Sequence, residues 1–393
     1  MPNWHWHTAK LSDPTITGEI DLEGVVYGQQ ENAAGEFNAS TRLGWDDTVT
    51  ELEALRRIPQ GQSVIYGECD GVLVTDAVVW KHDYSSAQGA LPIVGASLLS
   101  YLDHRHVTVS KTLSMRADLL LARMVAMAAQ GGAGFELDTS VAPRAASAGL
   151  TWPVRQDTFD KAAGRSVLEH LLAFATTGNG FEVDVACART PNSNTVRRFL
   201  RAGYPTLGVQ ESEVVAPRVT LSFVRAGYEL HGAIGNVDTV SAPRDGTVIG
   251  NRAYAATIRA DGATGVERAE RALRDGEARL DTYAFYNDTK QTTLKEFAAR
   301  DLAEADKEEP DLVMTVTYGE DAKGGPDLVP GRWSLYDEVL VRLVDPLRWP
   351  QTAITPIEFI GRIVGARVTV DEDKATFTIR PVRTRTGGKV DLS

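Results

Sequence analysis

Apolar residues on every second position dominate this chain, and that period limits what most of it can fold into. From Gly71 to Leu102 the sequence runs GVLVTDAVVWKHDYSSAQGALPIVGASLLSYL. Val72, Val74, Val78 and Trp80 alternate, Lys81 to Gln88 are polar, and Leu91, Ile93 and Val94 resume. Such a pattern predicts two strands of a hairpin with a solvated tip. The same texture precedes it. SVIYGECDGVLVTDAVVWKH predicts two strands turning at Cys69 to Gly71, and ITGEIDLEGVVYGQQ alternates between Gly18, Gly24 and Gly28. In VTELEALRRIP, Leu52, Leu55 and Ile58 have helical or half-strand spacing, with Pro59 as the stop.

Two segments depart from the period of two. TLSMRADLLLARMVAMAAQGG places Leu113, Leu119, Leu120, Met124 and Met127 on a helix that ends at Gly131-Gly132. In DTFDKAAGRSVLEHLLAFATTGNG, Val167, Leu168, Leu171, Leu172 and Ala175 form one apolar stripe, with Gly178 beyond its end. The strand FEVDVACA follows, so residues 106–190 predict an α/β insertion. Strand texture returns in RRFLRAGYP and RVTLSFVRAGYELHG. Two polar helices are then expected. One lies in GVERAERALRDGEARLD, with a thin face of Val266, Ala269, Ala272 and Leu273. The other lies in TTLKEFAARDLAEADKEEP, where Thr293 and Glu296 have capping-box spacing and Pro310 is the stop. The end is β again: LVMTVTYG, YDEVLVRLVDP, and a hairpin in IGRIVGARVTVDEDKATFTIRPVR turning at Asp371 to Lys374.

The predicted fold class is therefore α+β and β-rich. The expected division is a first β-domain at 1–105, the insertion at 106–190, a returning β-segment at 191–260, a helical segment at 261–310 and a last β-domain at 311–393. At 393 residues the chain exceeds one small core. No apolar run approaches the roughly 18 residues of a membrane span, so no stable membrane association is expected. The start MPNWHWHTAK lacks the basic and apolar regions of a signal peptide, which predicts synthesis in the cytoplasm without a cleaved export signal.

The chemistry-bearing residues point away from catalysis. His82, Asp83, Tyr84, Ser85 and Ser86 supply the ingredients of a nucleophilic site, yet neighbours on a hairpin tip alternate in direction and form no triad among themselves. No Gly-x-Ser-x-Gly elbow occurs. His5 and His7, and likewise His104 and His106, share a face if extended, but no third metal ligand stands at a recognised spacing. DLAEADKEEPD and DEDK lack the ligand order of a calcium loop. GGAGF, GNGF and TGGK lack the spacing of a phosphate-binding loop. Cys69 and Cys187, the only cysteines, predict small buried residues without a disulfide or zinc site. The net charge of −12 argues against gripping nucleic acid by neutralising phosphates. No catalytic, cofactor-binding or metal residue is assigned, and no enzyme activity or cofactor is expected.

Three stretches resemble the minor tail proteins of long-tailed actinobacterial phages, and among them the tail-hub component. In DGVLVTDAVVWKHDYSSAQGALPIVGASLLSYLDHR, a strand ending at Trp80 leads through a polar loop to a second strand and to Gly95, Ser97, Tyr101 and Arg105. In VLEHLLAFATTGNGFEVDV, a helix passes through glycine to Gly180, Phe181 and Glu182. In RRFLRAGYPTLG the matching positions are Gly203, Tyr204, Pro205, Leu207 and Gly208. The resemblance implies a fold similar to the baseplate hub of contractile-tailed phages, with two related β-barrel-like hub domains per subunit and smaller α/β elements. It implies a homotrimer at the virion tail tip, between the sixfold tail tube or distal tail protein ring and threefold tip proteins. The tape measure protein would be another neighbour, and DNA would meet the chain only in transit. A tail-associated cell-wall hydrolase and a receptor-binding tip protein remain as alternative functions.

Overall fold

The computed structural model describes residues 2–42, 58–82, 90–108, 110–129, 135–138, 152, 154–159, 164–175, 181–203, 207, 219–228, 235–243, 250–258, 262–273, 279–286, 291–305, 311–320, 322–353, 355–384 and 390. Seven strands come first: β1 (Trp4–Lys10), β2 (Ile16–Glu19), β3 (Glu23–Gln30), β4 (Glu36–Arg42), β5 (Ser63–Cys69), β6 (Val72–His82) and β7 (Ala90–Ala96). The β5–β6 turn falls where expected, because Asp70 and Gly71 both take positive φ (48° and 84°), as a two-residue hairpin turn demands. β5 is buried on both faces. Ile65 and Cys69 enter the main core, while Val64 and Tyr66 enter a second core shared with the α/β insertion. That double burial explains an apolar run too dense for a strand with one wet face. Gly67 interrupts the run because a Cβ there would stand 2.4 Å from the Trp6 ring.

The insertion contains β8 (Lys111–Arg116), α1 (Ala117–Ala129), β9 (Phe135–Asp138), β10 (Val154–Phe159), α2 (Val167–Ala175), β11 (Glu182–Arg189) and β12 (Val196–Gly203). Its first helix starts later than the sequence predicts. Lys111 to Arg116 pair residue by residue with β10, so Leu113 belongs to a strand. Leu120 and Met124 are buried on α1, but Leu119 is 51% exposed and does not join the core stripe. α2 carries Val167, Leu168, Leu171 and Ala175 into the second core, as expected. Its start is a reciprocal cap: the Ser166 N–H donates to Glu169 (2.8 Å) and the Glu169 N–H donates to Ser166 Oγ (3.0 Å). β12, grouped by sequence with the returning β-segment, pairs instead with β11 and, in parallel, with β9.

After β13 (Thr220–Val224) and β14 (Thr239–Ser241) comes a second small module: β15 (Arg252–Ile258), β16 (Thr264–Glu270), β17 (Asp281–Phe285) and α3 (Gln291–Ala305). Here the sequence reading is corrected. The first polar helix expected in 265–281 is β16 for its first half, paired along its whole length with β15. Glu, Arg and Ala favour a helix intrinsically, and ladder pairing plus packing under α3 overrides them. α3 begins at Gln291, so Thr293 lies inside the first turn and is not the cap. Leu294, Phe297 and Ala298 pack on Ala255 to close this module's own small core.

The last strands are β18 (Leu312–Thr317), β19 (Glu338–Val344), β20 (Ile357–Thr369) and β21 (Lys374–Thr384). The β20–β21 hairpin turns where predicted, with Asp373 at φ 50°. A 13-stranded sheet unites both ends of the chain in the order β14-β18-β21-β20-β3-β4-β7-β6-β5-β1-β2, with β19 branching from β20 and β13 from β19. The two β-regions expected as separate barrel-like domains are thus hydrogen-bonded to each other through β3 and β20. The Leu52 and Leu55 segment lies outside the described residues; Ile58 is fully buried.

The cap on α2 is a measurable part of the insertion's stability. Ser166→Ala is expected to lower the unfolding free energy by about 1 kcal/mol, read from urea denaturation.

Candidate functional site: a polar joint

The chemistry-bearing residues of the sequence do not converge. Asp83, Tyr84, Ser85 and Ser86 lie outside the described residues, as does most of the Lys81 to Gln88 loop. His82 ends β6 with Nε2 2.7 Å from the Ile58 carbonyl. His5 and His7 stack with ring centroids 6.3 Å apart, but they do not share a ligand set. His7 is buried, and its Nε2 accepts from Arg189 (2.7 Å). Burial first, and Arg189 next, hold His7 below the usual imidazole range, which suits an acceptor. His104 lies against the Trp80 ring at 4.2 Å, and His106 Nδ1 is 3.0 Å from the Gly164 carbonyl. Among the described residues no three His, Cys, Asp or Glu side chains gather as a metal site. Cys69 and Cys187 are free thiols.

What does converge is a joint where the N-terminal strands, the insertion and the C-terminal strands meet. Tyr336 stands at its centre. Its hydroxyl donates to the Val183 carbonyl (2.8 Å) and accepts from the Asn32 N–H (2.9 Å). The Asn32 carboxamide oxygen in turn accepts from the Val183 N–H (3.1 Å). One phenol therefore ties β11 to the turn after β3 and to the segment before β19. Tyr336 holds this position at φ 73°, a left-handed conformation that costs a bulky residue on the order of 1–3 kcal/mol.

Charged groups extend the joint on one side. Arg362 on β20 donates to Glu182 at the start of β11 (2.7 Å) and lies 3.6 Å from Glu338. Glu338 also accepts two bonds from Arg383 (3.2 and 2.8 Å). The other Glu182 oxygen accepts from the Leu207 N–H (2.5 Å). Burial nevertheless dominates and pushes the Glu182 carboxyl up to about 7, against the pull of Arg362 and Leu207.

On the other side, Asp76 of β6 accepts from the Leu98 N–H (2.5 Å) and from the Cys187 thiol (3.7 Å). Burial raises Asp76 to about 6, and it raises the thiol of Cys187 far above its ordinary range. Such a thiol stays protonated at neutral pH and is no nucleophile. Arg198 of β12 is 1% exposed and donates to Tyr66 Oη (2.7 Å) and to the carbonyls of Leu11 (2.5 Å) and Lys10 (2.9 Å). Between these groups lies a cavity of about 200 Å³ bordered by Gln29, Asp76, Asp184, Cys187, Arg201 and Trp333.

The arrangement fastens; nothing in it pairs an activated nucleophile with a base. Breaking any one buried pair leaves a charge without its partner, which costs several kcal/mol. Asp76, Arg198 and Tyr336 carry no motif and no special spacing, so sequence reasoning passed over them. Glu182 entered it only as part of a glycine-to-strand pattern.

Because Asp76 and Glu182 titrate above the ordinary carboxylate range when folded, the folded chain takes up their protons at higher pH than the unfolded chain does. The stability tied to these groups is full below about pH 4 and is lost as pH rises through about 6 and 7. Asp76→Asn stays neutral and keeps an acceptor for Leu98. Its stability relative to wild type is expected to rise by on the order of 2 kcal/mol between about pH 4 and pH 8, read from urea midpoints. A difference that does not change with pH would contradict this account of Asp76.

No family model and no curated protein matches the sequence. In fold the chain is similar along nearly its whole length to two solved structures. The tail protein from Neisseria meningitidis MC58 is 14% identical, with 96% of each chain covered and a TM-score of 0.55. The 43 kDa tail protein of prophage MuSo2 from Shewanella oneidensis is 12% identical, with 96% of this chain and 98% of that chain covered and a TM-score of 0.55. At such identities the likeness is one of fold, and the fold is the one these tail proteins share.

Proposed function

We propose that this chain is a structural subunit of a phage tail. In the finer reading, it is the trimeric hub of a long, non-contractile tail of an actinobacterial phage. It joins the sixfold tube or distal tail ring to threefold tip proteins and forms part of the DNA exit channel. The observation that carries the proposal is the likeness in fold, over 96% of this chain, to two tail proteins.

Physical features support the same reading. The polar joint locks three parts of the chain into one body, which suits a subunit that transmits load. Two β-regions in one chain, taken as two similar positions of a ring, would let three subunits present six. A net charge of −12 per subunit, repeated three times, repels phosphate and keeps passing DNA from sticking. Among the described residues no helix is long and apolar enough to cross a membrane.

Sedimentation equilibrium of the purified chain tests the proposal, with a mass of three subunits expected and no fragments released from actinobacterial cell wall. A monomer at all concentrations that digests cell wall would overturn it.

A further inference from the structure

Two buried tyrosines stand on either side of the seam between the β-regions. Tyr27 on β3 pairs in register with Val368 of β20, Val368 with Ala375 of β21, and Ala375 with Val316 of β18. These four side chains form one row across the sheet, and all lie in the main core. Tyr318 follows two residues after Val316 and so shares its face. Its N–H donates to the Asp373 carbonyl (2.8 Å), which extends the β18–β21 ladder, and it lies in the same core. Val368 and Ala375 are short, which lets the two longer phenols approach over them.

Tyr27 is 2% exposed and Tyr318 1%, yet among the described residues neither hydroxyl has a hydrogen-bond partner. A buried phenol usually finds one, because an unmet hydroxyl carries the full cost of its lost hydration. The two hydroxyls are neighbours: after burial, Tyr318 is the strongest influence raising Tyr27. The thiol of Cys69, at the buried end of β5, acts on both phenols. Trp4 pairs with Cys69 in the β1–β5 register and packs edge-on to the Tyr27 ring, with centroids 6.1 Å apart. Its indole N–H is likewise buried without a partner among the described residues. Polar hydrogens from β1, β3, β5 and the end of β18 thus gather in one part of an otherwise apolar core.

We infer that this spot binds a single water molecule, bridged between the Tyr27 and Tyr318 hydroxyls, which ties the N-terminal β-region to the C-terminal one inside the core. Charge selects water over an ion. Burial raises both phenols far above their ordinary range and pushes the Cys69 thiol up to about 12, so all three stay protonated at neutral pH. A metal ion needs deprotonated ligands, which these groups do not supply. An anion would face Asp373 and Asp371, whose carboxylates act on Tyr318 from the β20–β21 turn. Water is neutral, donates as well as accepts, and is held in protein interiors by two to four polar groups. The two hydroxyls meet that requirement, with the Trp4 N–H and the Cys69 thiol beside them as further donors.

Urea denaturation of the full chain with Tyr27→Phe, with Tyr318→Phe and with both tests this. Phenylalanine keeps the ring and its packing, and far-UV circular dichroism checks that each variant folds. A shared water makes the hydroxyls interdependent, since the loss of either removes one of its two holders. Each single variant is expected to raise the unfolding equilibrium constant about fivefold, the net contribution of one hydrogen bond. The double variant is expected to raise it no further than a single one. If either single variant leaves the constant unchanged or lowers it, that hydroxyl has no partner and the inference fails. It fails equally if the two effects multiply in the double variant, which would mean separate partners. A crystal structure of the full chain supplies a second readout. A water oxygen within about 3.2 Å of both hydroxyls is expected, and a pair bonded directly to each other, or to no water, would overturn the inference.

Discussion

The architecture depends on the antiparallel pairing of β3 with β20. Five register pairs, from Gly365 with Gln30 to Thr369 with Val26, join strands from opposite ends of the sequence. Beside them the Gly24 N–H donates to Asp371 (2.7 Å), a bond between residues 347 positions apart. Without this ladder the chain would be two β-regions with an unpaired edge each, and exposed edges invite pairing with other chains. With it, a single sheet runs through both regions, and the insertion packs its apolar core on β1, β5 and β6 while Tyr336 and Arg362 reach it from the C-terminal part. Contacts of such sequence separation form late and slowly, since the intervening chain must be ordered first.

The polar joint then fixes the insertion's orientation. Apolar packing alone tolerates sliding, because hydrophobic burial has no direction. Tyr336, Glu182, Asp76 and Arg198 supply directed bonds from each of the three parts, and each bond is satisfied in one register only. The cost is visible in the raised carboxyl titration of Asp76 and Glu182 and in the left-handed backbone of Tyr336. Buried charge of this kind adds little stability compared with apolar residues of the same volume. Its contribution is a fixed geometry between the three parts of the chain.

Much of the sheet was legible in the sequence because alternating or densely apolar runs between turn residues mark strands with one or both faces buried. β5, β6, β20 and β21 were placed by such runs and by their turns at Cys69 to Gly71 and Asp371 to Lys374. The apolar stripe from Val167 to Ala175 also located α2, whereas its Ser166–Glu169 cap was not read from the sequence. The errors share a cause. In β16, and in β8 ahead of α1, helix-favouring composition lies on strands that exist because a neighbour pairs with them. The neighbour's position is a property of the fold and leaves no local trace. The joint was illegible for the same reason. Glu182 meets Arg362 and Tyr336 meets Asn32 only after the two ends of the chain are brought together.

Native-state hydrogen exchange on the amides of β3 and β20 tests the central claim most directly. If the two β-regions act as one body through this ladder, the amides that face across it, Tyr27, Gln29 and Glu31 on one side and Ala366 and Val368 on the other, will exchange with the same opening free energy, equal to that of global unfolding. Opening of the ladder at a markedly lower free energy, with the β5–β6 and β20–β21 hairpins still protected, would show two independent domains and contradict the account.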